Sequence, residues 1–213
     1  SKSRIPTETA IRAFRIMPTA KGKTEETNDV VVQSEKLENG AWRLKGAVTI
    51  ESSWESIYSV LTDYRNMVNF TPTCILSEVL ETEGPRTRVL LGAKKSLFLG
   101  IKLTAKTVLD YQEKEKENMA DGVKRDLDIN LIEGDFQMFV GKWTVEQKGE
   151  SGVSPDACEL KLPSTLTYSV EMKASPWIPL SLIEGKIRED FKDQILSIKR
   201  ETMKRSMAGA GQL

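Results

Sequence analysis

Residues 181–202 read SLIEGKIREDFKDQILSIKRET. Apolar residues recur there every three or four positions, which is the period of an amphipathic helix. Ser181 and Glu184 have the spacing of a capping box, so we expect the helix to begin there and to end before Gly209. A helix of roughly six turns is long enough to cross a whole sheet. Its core-facing positions are Ile183, Ile187, Phe191, Ile195, Ile198 and Thr202.

The chain before this helix consists mostly of segments that alternate apolar and polar residues. This alternation is typical of antiparallel strands that have one buried face. A capping-box pattern at Ser52 and Glu55 predicts a short helix after the second strand, and a second helical turn over 64–70 ends at Thr71-Pro72. The predicted strands span 29–37, 42–50, 74–83, 86–93, 97–111, 123–133, 136–148 and 159–173.

Every predicted strand presents one apolar face, so the sheet needs a cover, and the terminal helix can supply it. The prediction is therefore an α+β helix-grip fold: a curved antiparallel sheet wrapped around a long C-terminal helix, with two short helices after the first strands. We expect one domain over 29–206, a flexible N-terminal arm at 1–28 and a flexible tail at 207–213.

The composition excludes several function classes. The 213 residues include 31 Lys plus Arg and 31 Asp plus Glu, and this zero net charge argues against nucleic-acid binding. The chain has no histidine, which removes His-dependent triads and His-ligated zinc, and we predict no metal site. No apolar run reaches the ~18–20 residues of a membrane-spanning helix. Cys74 and Cys158 are expected to be reduced thiols, with a single disulfide as the alternative.

Three segments together resemble a known family. The chain is similar to the START-related superfamily, in its polyketide-cyclase/dehydrase and coenzyme Q-binding branch, and most of all to plastid and cyanobacterial members. The resemblance covers residues 29–205. The segments are Val60 to Tyr64 with Asn69 to Pro72, Gly134 to Trp143, and Leu166 to Val170 leading to Pro176 to Pro179.

The resemblance implies a hydrophobic small molecule as the partner, held between the sheet and the helix without catalytic residues or a required cofactor. A bound lipid, quinone, isoprenoid or pigment and a chloroplast location, in the stroma or at the thylakoid surface, are what it leads us to expect. The predicted ligand-binding residues are Leu103, Leu127, Ile129, Phe139, Trp143, Leu166, Tyr168, Ile183, Ile187 and Phe191.

Each candidate residue also has a purely structural interpretation. The apolar lining residues are the ones that any such core requires. The hydroxyl of Tyr168 could meet a ligand carbonyl or the backbone. Asp63, at a helix end, and Asp135, in a turn, suit structural bonds to the backbone better than acid–base catalysis.

A predicted gate lies at the cavity mouth and consists of Phe70, Pro72, Trp177 and Ile178. These residues could touch a membrane surface peripherally or bind a protein partner, and ordinary packing at the rim is the alternative.

Two other functions compete with ligand binding. The domain could be an assembly subunit of a larger, possibly photosynthetic complex, with its contacts on the arm and on a charged hairpin tip over 112–121, from Gln112 to Asp121. A cyclase or dehydratase is the less favoured alternative, because the predicted inner faces carry no acid or base.

Overall fold

The computed structural model describes residues 30–96, 102–149, 162–175 and 180–210. They form a nine-stranded antiparallel sheet and a long C-terminal helix, which confirms the predicted helix-grip fold. The strands are β1 Val31–Lys36, β2 Trp42–Ile50, β3 Cys74–Glu83, β4 Arg86–Ser96, β5 Lys102–Glu113, β6 Glu117–Met119, β7 Gly122–Gly134, β8 Phe136–Lys148 and β9 Ser164–Ala174.

The strand order β1-β2-β9-β8-β7-β5-β4-β3 places an early strand beside the last one, because β2 pairs with β9. The short strand β6 pairs only with β7. The helices are α1 Trp54–Leu61, α2 Met67–Phe70, which follows a 3₁₀ turn over Tyr64–Asn66, and α3 Leu180–Ala210. Among the described helices, none is long and apolar enough to cross a membrane.

The predicted cap of α1 at Ser52 is wrong by one residue. The side chain of Ser53 accepts the hydrogen bond from the backbone N–H of Ser56 instead. Ser52 forms hydrogen bonds to other parts of the fold, and its carbonyl accepts one of 2.8 Å from the Ser164 hydroxyl. Its own hydroxyl lies 3.1 Å from that of Ser206, so Ser52 links β2 to both β9 and α3.

Helix α3 is longer than predicted at both ends. It begins at Leu180, so Ser181 lies inside the helix, and it continues through Gly209 to Ala210. A helical glycine costs only about 1 kcal/mol relative to alanine, which is too little to end a long helix by itself. Residues 207–210 of the predicted tail are therefore helical.

The strands also differ from the prediction at several ends. β1 is shorter and β4 is longer than expected. We also expected strands at 97–101 and 159–161, but these residues lie outside the described ones, as does the arm at 1–28. The expected hairpin tip over 112–121 is partly built into the sheet. Strand β5 continues through Glu113, β6 follows, and the backbone N–H of Lys114 donates to the carbonyl of Asp126 at 3.1 Å.

A row of facing residues crosses the centre of the concave face and supports α3. The strand register places Gly46, Tyr168, Trp143 and Leu127 side by side on β2, β9, β8 and β7. The ring of Tyr168 stacks on Trp143 with centroids 3.9 Å apart, and on Phe191 of α3 at 4.9 Å. These nearly parallel aromatic contacts attach the helix to the sheet.

Helix α3 approaches β2 closely because Gly46 has no side chain. A Cβ atom at this position would lie 2.8 Å from Cδ1 of Ile195 and 3.0 Å from Cε1 of Phe191. Burying a large apolar side chain contributes roughly 1.5–3 kcal/mol, and the helix buries Ile195 and Phe191 in this contact.

We expect Gly46→Val to lower the free energy of unfolding by about 1–3 kcal/mol, because overpacking must displace α3 from β2. The change is measured by denaturant unfolding followed by circular dichroism. Gly209→Ala is the matched control, since a Cβ there meets nothing within 4 Å. Equal stability of the two variants would show that the close approach at Gly46 is unimportant.

Candidate functional site

A cavity of about 210 Å³ lies between the concave face of the sheet and the middle of α3. Its wall is mostly apolar and reaches the surface at Pro72, which is exposed. The lining residues come from α2, the segment after it, six strands and α3. They are Met67, Thr71, Pro72, Thr73, Cys74, Leu91, Gly92, Ala93, Thr107, Leu109, Tyr111, Ile129, Phe136, Phe139, Tyr168, Asp190, Asp193 and Gln194.

The cavity exists because α3 is not centred on the sheet. The helix lies closest to β1, β2 and β9 and to the helices α1 and α2. On the other side, the curved strands β4, β5 and β7 face a space that the helix does not fill. Leu91, Leu109, Tyr111 and Ile129 are among the side chains of these strands that border this space.

Two tyrosines place polar atoms on this apolar wall. Only 3% of Tyr111 and 2% of Tyr168 is exposed, and neither hydroxyl has a hydrogen-bonding partner among the described residues. The rings are held by aromatic neighbours: Tyr168 by its stack, and Tyr111 by Tyr64 at 4.8 Å between centroids. The predicted backbone partner for Tyr168 is thus not found in this part of the chain.

Burial determines the ionisation of these phenols. It raises the pKa of Tyr168 well above its usual value. It raises the pKa of Tyr111 as well, and the neighbouring Tyr168 and Cys74 add to that shift. Both hydroxyls therefore stay protonated at physiological pH and can donate hydrogen bonds. Cys74 is a free, half-buried thiol whose pKa is also raised by burial, whereas Cys158 lies outside the described residues.

Three polar side chains of α3 also line the cavity, and they were not among the predicted site residues. They are Asp190, Asp193 and Gln194, of which Asp193 is exposed. Their spacing could have revealed them, because positions 190 and 194 are four residues apart and lie on the same side of the helix, beside the core position Phe191. The prediction used only the apolar stripe of this helix.

The ten predicted ligand-binding residues fall into three groups in the structure. Ile129, Phe139 and Tyr168 line the cavity. Five others belong to the packed core or pack against it: Leu127, Trp143, Leu166, Phe191 and Ile187. The side chains of Leu103 and Ile183 lie outside those described, although their backbones belong to β5 and α3.

The predicted gate is only partly described. Pro72 borders the cavity, and Phe70 packs against the core with the guanidinium of Arg205 at 5.7 Å from its ring centroid. Trp177 and Ile178 lie outside the described residues. The segment that follows α2 is therefore the described part of the mouth.

Neither of the two carboxylates considered for catalysis lines the cavity. Asp63 accepts hydrogen bonds from the side chains of Arg205, at 2.7 Å, and Asn66, at 2.9 Å, rather than from the backbone as expected. Arg205 also donates to Glu201 at 2.8 Å. Asp63 thus connects the turn before α2 to the C-terminal half of α3. Asp135 lies in the turn between β7 and β8.

We expect Asp63→Asn to lower the free energy of unfolding by about 0.5–1 kcal/mol, the usual value of a partly exposed ion pair. The difference should shrink in high salt, because salt screens the attraction to Arg205. Thermal unfolding at low and high ionic strength measures both effects. Asp135→Asn serves as the control, and a salt-independent loss in the Asp63 variant would contradict the ion-pair explanation.

All four tyrosines should resist ionisation. Burial raises the pKa of Tyr58 to about 12 and those of Tyr64, Tyr111 and Tyr168 further. An absorbance titration of the folded protein should show no tyrosinate at pH 10, whereas the urea-unfolded chain is half ionised near there. Near pH 10 only the unfolded state loses these protons. The contribution of the tyrosines to the free energy of unfolding is therefore fully present below about pH 10 and falls as the pH rises above it. Tyrosinate at pH 10 in the folded protein would contradict the burial.

Comparison with known proteins agrees with this architecture. The sequence model of the family described as "Polyketide cyclase / dehydrase and lipid transport" matches residues 50–199. No curated protein matches the sequence significantly.

Solved structures share the fold at low identity. A STAR-related lipid transfer protein from Xanthomonas axonopodis is 16% identical, with a TM-score of 0.63 over 84% of this chain and 97% of that one. Human StAR-related lipid transfer protein 5 is 11% identical, with a TM-score of 0.63 over 93% of each chain. The Zhui aromatase/cyclase from Streptomyces sp. R1128 is 12% identical, with a TM-score of 0.58 over 78% of this chain and 96% of that one.

The match to the family model extends from the end of β2 to the middle of α3, and so includes most strands of the sheet and the cavity between them. The chain therefore belongs to the polyketide cyclase/dehydrase and lipid transport family.

Proposed function

We propose that this protein binds a small hydrophobic molecule in the cavity beneath α3 and releases it unchanged. The observation that carries the proposal is the cavity itself, a mostly apolar space of about 210 Å³ inside an otherwise packed core. The family description, which includes lipid transport, and the lipid transfer proteins among the structural neighbours support it.

The size of the cavity limits what it can enclose. An engineered apolar cavity of about 150 Å³ holds benzene, whereas typical ligand sites measure about 300–1,000 Å³. A space of about 210 Å³ holds one or two rings or a short chain. A larger ligand would extend past Pro72. Transfer of its apolar surface from water contributes about 25 cal/mol per Å² to binding.

The proposal of a carrier rather than an enzyme rests on the polar groups of the lining. Acid–base catalysis works best when a catalytic group has a pKa near the working pH. Burial moves the pKa values of Tyr111 and Tyr168 away from that range. The lining also holds two carboxylates, Asp190 and the exposed Asp193. The aromatase/cyclase among the structural neighbours makes turnover of a polyketide-like substrate the outcome that would overturn this assignment.

The chemical class and location of the ligand are finer proposals. A quinone, isoprenoid, pigment or lipid, handled in a plastid with peripheral membrane contact, follows from the resemblance to the coenzyme Q-binding branch and to plastid members. Pro72, exposed at the mouth, would then lie on the side from which a ligand enters.

Native mass spectrometry and solvent extraction of the protein from its own source test the binding proposal. We expect one hydrophobic molecule per chain. An empty protein that copurifies in fixed ratio with other chains would contradict the carrier proposal and favour an assembly subunit instead.

Filling the cavity should abolish binding without unfolding the protein. Ala93 lines the cavity and is half-buried, so Ala93→Phe places a ring in the space that the ligand would use. We expect ligand-observed NMR to show binding of tetralin, a two-ring hydrocarbon, to the parent protein and at least tenfold weaker binding to the variant. The matched control is Ala47→Phe, a half-buried alanine on the convex face of β2. Equal affinities of the two variants would place the binding site elsewhere.

A further inference from the structure

Residues 62–73, which we call the strap, connect α1 to β3 and form one side of the cavity. Four of them, Met67, Thr71, Pro72 and Thr73, line the cavity, and Pro72 is also exposed at the surface. Because the strap separates this side of the cavity from solvent, a displacement of the strap would open the cavity.

Few side chains of the strap are buried. Tyr64 and Met67 are the buried ones among its residues, all of which are described. The ring of Tyr64 packs against Tyr111 with centroids 4.8 Å apart, and the carbonyl of Tyr64 accepts a hydrogen bond from the Ser77 hydroxyl. Both contacts attach the first half of the strap to the sheet. Segments with little buried surface open at a low free energy, so the remainder of the strap needs another attachment.

The guanidinium of Arg205, near the end of α3, supplies that attachment. It donates to Asp63, at the start of the strap, at 2.7 Å, and it lies 5.7 Å from the ring centroid of Phe70. Arg205 also donates to Glu201, one turn earlier in α3, at 2.8 Å, and this bond orients its side chain. One arginine therefore connects two separate points of the strap to the terminal helix.

We propose that Arg205 clamps the strap over the cavity and thereby sets the rate at which a ligand enters and leaves. This inference rests on the proposed function and concerns the regulation of the same site. Arg205, Asp63 and Phe70 do not line the cavity, so their contacts stabilise the closed strap equally in the empty and the loaded protein. Loss of the clamp therefore accelerates entry and exit by the same factor and leaves the dissociation constant unchanged.

The variant Arg205→Met removes the charge and the donors but keeps a long, unbranched side chain. An exposed ion pair and a cation–π contact together correspond to about a three- to thirtyfold change in the opening equilibrium. We expect the variant to bind and release tetralin faster by such a factor, with an unchanged dissociation constant. NMR line-shape analysis of a tetralin titration gives both quantities. High salt should accelerate the exchange in the parent protein but not in the variant, because salt screens the attraction to Asp63.

Ser206→Ala is the matched control, because Ser206 follows Arg205 in α3 but contacts a different part of the fold. Its hydroxyl lies 3.1 Å from that of Ser52, which precedes α1 and is not part of the strap. If this variant accelerates the exchange of tetralin as much as Arg205→Met does, the cause is a loosened helix end and the inference is wrong. Arg205→Lys retains the charge and should recover part of the slow exchange.

Hydrogen exchange tests the clamp without a ligand. The backbone N–H of Thr71 donates to the carbonyl of Met67 at 2.9 Å and so closes the single turn of α2. A helix of this length is not stable by itself, so the turn is lost when the strap lifts from the domain. We expect Arg205→Met to accelerate exchange of the Thr71 amide by the same factor as tetralin release, and Ser206→Ala to leave it unchanged. Unchanged exchange of this amide in Arg205→Met would overturn the clamp.

The possible results separate this inference from the proposed function. If tetralin binds to the parent protein and exchanges at the same rate in all variants, the clamp is wrong and the binding site stands. If the dissociation constant rises in Arg205→Met while the association rate stays the same, Arg205 shapes the cavity rather than access to it, and the inference is wrong. If tetralin does not bind to the parent protein, the proposed function fails and the inference fails with it.

Discussion

The structure depends on one contact, the stacking of Tyr168 between Trp143 of the sheet and Phe191 of the terminal helix. Because β2 pairs with β9, this contact also joins the first part of the chain to the last. Gly46, opposite Tyr168 in the register, lets the helix approach on one side. The same tyrosine therefore holds the helix with its ring and supplies a polar atom to the cavity.

The cavity follows from where this contact lies. A helix centred on a curved sheet would fill the space beneath it, but α3 lies towards β1, β2 and β9. The strands β4, β5 and β7 curve away from the helix and leave their inner side chains partly uncovered. Packing at native density normally removes such voids, since an empty apolar cavity costs free energy. A ligand would recover that cost, and this makes the off-centre position of the helix functionally meaningful.

The sequence predicted the fold because periodicity is a local signal. The bounds of β3 and β8 match the predicted segments, and the alternation identified the inner face of each strand. Helix ends were less predictable, because tertiary bonds engage Ser52 and a long helix tolerates Gly209. The cavity lining was only partly predictable. Leu127 and Ile129 are successive inner residues of β7, yet only Ile129 lines the cavity, since that difference depends on the position of α3.

An unsatisfied buried hydroxyl does not by itself identify a binding site. The hydroxyl of Tyr64 is buried and has no partner among the described residues. An unsatisfied group alone is therefore no evidence of a site. Tyr111 and Tyr168 differ because they border a cavity that Phe136 and Phe139 also line. An apolar cavity with a few polar groups in its wall is typical of binding sites. This convergence, rather than any single residue, supports the binding of a small molecule.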